Sequence, residues 1–398
     1  VSVPAQVRRP LALGAVLAIV LAALNLRPAV VAVSPLLGEI RADEGLSGAA
    51  AGLLTTLPVL CFGILAPVAP VLARRLGLER VLCASLVLLC VGFAVRLAPT
   101  TWALFAGTVV AGCAIAFGNV LLPALVKRDF ADRVGLMTGL YSMSLSGGAA
   151  LAAGLTIPVA DAAGLDWRGA LAMWGLLAVA GAVVWAPRAA HAVAHRPTPF
   201  RPGTGLPLAR SVWRSPLAWA VTVVMGTQSL SFYATNAWLP EIFVGLGYTA
   251  EAGGWLLALG NMVGIAGSFA TPVLAGRMRR QRGIGVALVV LVGGGLLGIA
   301  LAPAVAPLWV VLVGLGQGGG ISLVLTLMAL RARDAEQTSE LSGMAQSAGY
   351  VLAALGPLGV GLAHDASGSW TTPLLLLVGV AAVQGVATWF AGRDAHVH

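Results

Sequence analysis

Long apolar blocks alternate along this chain with short polar stretches in which arginine predominates. A helix needs about 20 apolar residues to cross the hydrocarbon core of a bilayer. Blocks of that length fall at residues 11–38, 48–73, 80–98, 101–126, 134–160 and 168–187. After a polar interruption they resume at 216–243, 250–276, 283–302, 306–330, 340–363 and 370–391. The pattern predicts an all-α membrane protein with twelve transmembrane helices in two six-helix halves, 1–187 and 216–398. Between them lies a basic segment, 188–215, carrying Pro197, Pro199, Pro202 and Pro207, which reads as a cytoplasmic linker without a core of its own.

The first block follows Arg8 and Arg9, as a signal peptide would. It is too long for the apolar region of one, and Arg27-Pro28 follows instead of a small-residue cleavage site, so it is expected to be an uncleaved first helix. Placing the N-terminus inside puts twenty Arg and Lys residues in inner loops and tails, against Arg41, Arg96 and Arg168 outside. The excess of cations in cytoplasmic loops orients membrane proteins, so both termini are expected to be cytoplasmic.

The halves repeat one another. Pro70-Val71-Leu72-Ala73 recurs as Pro272-Val273-Leu274-Ala275, and Glu39-Ile40 as Glu241-Ile242, both at an offset of 202. Gly112 to Asp129 maps loosely onto Gly316 to Asp334, and Trp167 onto Trp370. Shared order at a nearly constant offset gives these short matches their weight.

Composition changes the picture by excluding alternatives. With 59% hydrophobic and 10% charged residues, a soluble fold of 398 residues would lack the polar surface to cover itself. The net charge of +9 sits in clusters between apolar blocks, as in loops of a membrane protein and not along a nucleic-acid-binding face. Cys61, Cys83, Cys90 and Cys113 all fall inside apolar blocks and read as small buried hydrophobes. His191, His195, His364, His396 and His398 offer no ligand spacing within the membrane, so neither a metal nor another cofactor is expected. Lys127 is the single lysine; the Arg-, Ala- and Gly-rich usage suggests a GC-rich bacterium and therefore a bacterial inner membrane.

Leu72-Ala73-Arg74-Arg75-Leu76-Gly77 resembles the loop between helices 2 and 3 of the major facilitator transporters, which normally carries an acid where Arg74 stands; Glu79 is a nearby substitute. Asn25-Leu26-Arg27-Pro28 with Ser34-Pro35 is similar to the cyanate and 2-nitroimidazole transporter group, CynX/NimT. So are Gly92 and Arg96, Asn119 with Leu122-Pro123 and Lys127, Gly139-Leu140-Tyr141-Ser142, and Trp167-Arg168. The resemblance implies the major facilitator fold, whose halves are parallel repeats about an axis normal to the membrane, and secondary transport. It also implies that helices 1, 4, 7 and 10 line a central cavity.

Within the helices, Arg27 is the most informative side chain. It lies within about a turn of the middle of the first helix, where a charge costs roughly 2.5–3.5 kcal/mol or more to insert. No acid lies in a predicted helix core, so its charge either meets carbonyl and amide oxygens or is available to an anionic ligand. Pro28 bends that helix and frees carbonyls in the preceding turn. Arg96, about 10 Å outward of the middle of its helix by the helical rise, either snorkels to the outer interface or guides anions inward. All four asparagines, Asn25, Asn119, Asn236 and Asn261, fall in predicted helices, and are expected to face the bundle interior. Gln228, Gln317, Gln346 and the hydroxyls of Tyr141, Tyr233 and Tyr350 join them as candidate ligand contacts or interhelical bonds. Gly314 to Gly320 lies mid-helix without a P-loop lysine, which points to close helix packing and not to phosphate binding.

The function expected is a secondary active transporter, not an enzyme, moving a small anionic solute by alternating access, with the lipid bilayer as its other partner and a monomer as its working form. The alternative is a proton-coupled exporter of nitroimidazole-like or other small drugs, which ordinarily needs an embedded carboxylate. Glu39 and Glu241 are the acids nearest the cavity helices.

Overall fold

Every apolar block forms a helix, or two or three helices meeting at a break, in the computed structural model, which describes residues 5–46, 48–194 and 212–397. The first half holds α1 (Ala5–Asn25), α2 (Pro28–Val31), α3 (Val33–Glu44), α4 (Gly48–Leu65), α5 (Val68–Leu76), α6 (Leu78–Val95), α7 (Thr101–Asp129), α8 (Val134–Ala163), α9 (Trp167–Ala172) and α10 (Gly175–Ala194). The second holds α11 (Pro216–Gly245), α12 (Ala250–Arg277), α13 (Arg282–Leu301), α14 (Ala306–Arg331), α15 (Ala335–Ser367) and α16 (Thr371–Ala391). No strand occurs among the described residues. The segment expected as a linker is helical to Ala194, as the continuation of α10; residues 195–211 lie outside the described residues.

Ten of these helical segments are long and apolar enough to cross a membrane, and the pair α4–α5, bent by 58°, would make an eleventh among the described residues. Pro67 explains the bend, since it caps α5 and removes a donor from the ladder. The corresponding stretch of α12 has no proline at that place and runs unbroken. Although α11 is 30 residues long, it falls outside the apolar set. Thr227, Gln228, Ser229, Ser231 and Thr235 dilute its hydropathy, and all five are buried inside the protein.

Contacts divide the chain into two units, Val1–Asp129 with Leu140–Gly205, and Phe130–Gly139 with Leu206–His398. In the first, α10 packs between α1 and α6, and α7 packs on α4 and α6. A buried cluster of Val33, Leu36, Ile40, Leu54, Leu104, Trp167 and Leu171 fixes α3 against the start of α9.

In the second unit α12 packs on α14, α11 on α15, and α13 on α14 and α16. The glycine-rich stretch does what its sequence suggests. A Cβ on Gly314 would stand 2.2 Å from the Gly260 carbonyl oxygen, and one on Gly318 2.0 Å from that of Gly264. Only glycines let α12 and α14 approach this closely, which gains dispersion contact where lipid offers no hydrophobic drive.

Helix ends of this unit are stitched by one buried arginine. Arg331 donates through Nε to the Ala391 carbonyl at 2.8 Å and through Nη2 to Gln281 Oε1. Its own carbonyl accepts from the Val397 amide at 2.8 Å, and Gln337 Nε2 donates to the Val397 carbonyl at 3.1 Å. Gln281 closes the knot through its amide to the Gly392 carbonyl at 3.0 Å.

The start of α8 belongs to the second unit through a glycine crossing. A Cβ on Gly135 would lie 2.3 Å from the Pro272 carbonyl oxygen and 2.8 Å from the Gly276 Cα. Gly135→Val is therefore expected to lower the melting temperature, at a cost of about 1–3 kcal/mol for forced repacking. Gly154→Val, on the same helix with nothing within 4 Å of its Cβ, serves as the control. Equal melting temperatures for the two variants would show that the crossing contributes nothing.

Candidate functional site

The first span is not one helix. Pro28 has no N–H to offer the Leu24 carbonyl, so the ladder fails there, and Leu26-Arg27 forms a turn between α1 and α2. The Leu26 amide turns to the Ala23 carbonyl at 3.1 Å, and the Val30 and Val31 amides take the Arg27 carbonyl at 3.0 Å. Gly148 of α8 packs against the released Leu24 carbonyl, so closely that a Cβ there would stand 2.3 Å from the oxygen. The break is thus covered by protein, as non-helical backbone at membrane depth must be.

Arg27 is the cap residue of α2, with φ −119° and ψ −36°, and is half-buried. Tyr141 is 1% exposed on α8. Asn25 takes a different role: its Nδ2 donates to the Leu21 carbonyl at 2.9 Å and to the Leu177 carbonyl of α10 at 3.0 Å, tying α1 to α10. Asn119 is buried on α7 at 4% exposure.

Arg96 does not snorkel. It is fully buried at the end of α6, donating through Nη1 to the Ala29 carbonyl at 2.8 Å, with the Phe93 ring 6.0 Å from its guanidinium carbon. Ala29 lies in a four-residue helix too short to satisfy all its own carbonyls, and Arg96 takes that of Ala29. A long side chain would reach an interface if one were open to it; here α7 closes over it, since a Cβ on Gly107 would touch the Arg96 Cγ at 2.7 Å.

Beyond the break, α3 ends in an acidic clasp. Asp43 Oδ2 accepts from Trp167 Nε1 and from Arg168 Nη1, both at 2.9 Å. Arg168 also pairs with Glu44, which accepts in turn from the Thr101 hydroxyl. The guanidinium stacks 4.0 Å from the Trp167 ring. In the second unit Trp370 holds the corresponding place, stacked 3.7 Å from His364 and packed against Gly245 of α11. Glu79 does supply the acid missing at Arg74: it pairs with Arg128 of α7 at 2.6 Å, while Arg74 and Arg75 are exposed.

The amides of the second unit separate into two groups. Gln228 Nε2 donates to the Gln317 carbonyl at 2.9 Å, and Gln317 Nε2 to Thr235 Oγ1 at 3.0 Å. Gln384 Nε2 of α16 donates to Gln228 Oε1 at 2.7 Å. All three glutamines are buried, so this network binds α11, α14 and α16 to each other. Gln346 is likewise sealed, with Nε2 on Ser342 Oγ at 2.8 Å. The other group is accessible: exposed Asn261 donates to Oδ1 of half-buried Asn236 at 3.0 Å, and Asn236 donates to the Phe232 carbonyl at 3.0 Å.

Sequence reasoning passed over Gln384, although it stands alone in the apolar run of α16. It also passed over Glu340, a carboxylate 6% exposed near the start of α15. Glu39 and Glu241, the acids it favoured, are both exposed. The four cysteines are free thiols and half-buried, not buried as expected. Among the described residues no cluster of His, Cys, Asp or Glu could hold a metal ion.

The chain matches the Major Facilitator Superfamily model over residues 11–357. It is 40% identical over 380 residues to the 2-nitroimidazole transporter of Escherichia coli (strain K12), covering 95% of each chain. It is 32% identical over 374 residues to the cyanate transport protein CynX of the same organism, covering 92% of this chain and 94% of that one. The solved structure of the proton:xylose symporter XylE bound to 6-bromo-6-deoxy-D-glucose superposes with a TM-score of 0.76 at 12% identity, covering 97% of each chain.

The clasp on α3 carries a pH dependence. The Trp167 indole and the Arg168 guanidinium hold the Asp43 carboxyl below its ordinary value of 3.8. A carboxyl lowered by folding stabilises the fold above its unfolded value, and that contribution disappears as pH falls through the folded one. Asp43→Asn should melt below wild type at neutral pH, with the gap closing as pH falls below about 3.8. A gap that is the same at every pH would show that the carboxylate charge does not hold the clasp.

Proposed function

This chain belongs to the major facilitator superfamily and is a membrane transporter related to the cyanate and 2-nitroimidazole transporters, not an enzyme; from that premise we propose that its substrate is a small anionic solute, moved across a bacterial inner membrane by alternating access. In this reading α11 supplies the twelfth span, being about 45 Å long by the helical rise. Both termini are cytoplasmic, as the arginine distribution favours. The halves are 1–187 and 216–398, joined by the basic segment 188–215, and the monomer is the working unit.

The observation that carries the proposal is Arg27. It stands half-buried in the turn where the first span unwinds, at the cap of α2. Discontinuous helices form the substrate sites of many transporters, because unwound backbone is tolerated where it lines a cavity. Cyanate is an anion at neutral pH, for which a guanidinium is a fitting partner; toward a neutral nitroimidazole the same group serves as a hydrogen-bond donor. In the second unit the accessible pair Asn236–Asn261 adds neutral polar groups, while the sealed glutamines tie its helices together.

Thermal stabilisation of the purified protein by cyanate, other small anions and nitroimidazoles tests this, with Arg27→Ala in parallel. At least one anion should stabilise wild type and bind about tenfold or more weakly to the variant, a hydrogen bond to a charged group being worth about 1.5–3 kcal/mol. No stabilising anion, or an equal response of the variant, would sink the reading.

A second reading, proton-coupled export of small neutral drugs, is favoured by one observation: the buried carboxylate of Glu340. Embedded acids commonly carry the proton in such transporters. If it applies, Glu340→Gln in proteoliposomes should abolish transport driven by a pH gradient while leaving solute counterflow intact. Undiminished pH-driven transport would remove Glu340 from that role.

A further inference from the structure

An open cavity of about 950 Å³ is set into the second unit where α11 begins and α16 ends. Its walls are apolar: Trp219 and Val223 come from α11, and Val383, Val386 and Phe390 from α16. By the helical rise, the stretch from Pro216 to Val223 runs about 10 Å along the helix, and that from Val383 to Phe390 the same. Arg214 precedes α11 and Arg393 and His396 follow α16, so all three basic residues stand at the same end of the groove. No acid is among the lining residues.

These features point to one occupant. Val383, Val386, Trp219 and Phe390 are 55%, 62%, 43% and 45% exposed, which suits acyl chains. The basic end is built: the Arg393 guanidinium lies 4.5 Å over the Phe390 ring, and Trp219 Nε1 donates to the Trp213 carbonyl at 2.9 Å. Trp213 meets Trp219 edge-on with ring centres 5.8 Å apart. Tryptophans of this kind mark the headgroup level of a bilayer. Asp394 follows Arg393 but is not among the residues lining the groove, so two guanidiniums face it and complement a phosphodiester, which accepts parallel N–H bonds from an arginine. Basic pockets between spanning helices at this level suit anionic headgroups.

We propose that this groove is a binding site for an anionic diacyl phospholipid. The phosphate lies between Arg214 and Arg393, near His396, and one acyl chain runs along the α11–α16 seam. The proposal uses residues apart from Arg27, and stands or falls separately from the solute reading.

Native mass spectrometry of the full-length protein in detergent, titrated with phosphatidylglycerol or phosphatidylcholine, tests it. Phosphatidylglycerol should be retained in preference to phosphatidylcholine and resist displacement by inorganic phosphate. Arg214→Gln with Arg393→Gln should weaken retention about twenty-five-fold, at roughly fivefold per arginine. Arg279→Gln with Arg280→Gln removes the same charge from exposed positions outside the groove and should leave retention unchanged. Val386→Trp fills the groove from an exposed position and should weaken retention with both arginines in place. Equal loss in the Arg279/Arg280 control would reduce the effect to general charge attraction. Displacement by inorganic phosphate would make the site one for a free ion. Equal retention of phosphatidylcholine, an unaffected Val386→Trp variant, or dimers appearing as lipid is lost would each overturn the assignment.

Discussion

A hydrocarbon solvent supplies no water to a stray N–H or C=O, so every backbone polar group in a spanning segment must find its partner inside the protein. The helices of this chain meet that demand by themselves almost everywhere, and the informative places are where they do not. At Leu26-Arg27-Pro28 the ladder is interrupted by a residue that has no N–H, and carbonyls on both sides of the turn need cover. Gly148 packs against one, that of Leu24, while Arg96 donates to another, that of Ala29. Arg27 stands half-buried in the turn itself, as the cap of α2. The position of Arg27 in the turn and the burial of Arg96 are two results of the same missing donor.

The spans were legible because length and apolarity decide them: the predicted block 283–302 became Arg282–Leu301, and 250–276 became Ala250–Arg277. Breaks were legible where proline is the cause, as at Pro28, and were passed over at Pro67, which the same reasoning reaches. Partner choice was not legible. Arg96 was read as either snorkelling to the interface or guiding anions inward, since depth along a helix follows from residue count, whereas lateral closure by α7 requires the packed structure. Asn25 and Gln228 carry the composition of ligand contacts but are consumed by interhelical bonds. Glu340 was missed because it stands at the first position of the predicted block 340–363, where an acid reads as a helix-end residue and not a buried one.

The repeats share a scaffold and differ in chemistry. Trp167 and Trp370 hold equivalent places, one bonded to Asp43 and the other stacked on His364. The first half then breaks its first span and puts an arginine at the break. Its counterpart α11 stays continuous, and its polar residues are largely turned into a sealed amide network.

The knot around Arg331 has a mechanical consequence. It joins the end of α14 to the end of α16, reaches Gln281 just before α13, and through Val397 reaches Gln337 at the start of α15. Four helix ends sharing one arginine cannot fray or tilt independently, so this end of the second unit behaves as a stiff plate. Bending of single helices is reserved for segments outside it, and force applied anywhere on the plate is delivered to all four helices together.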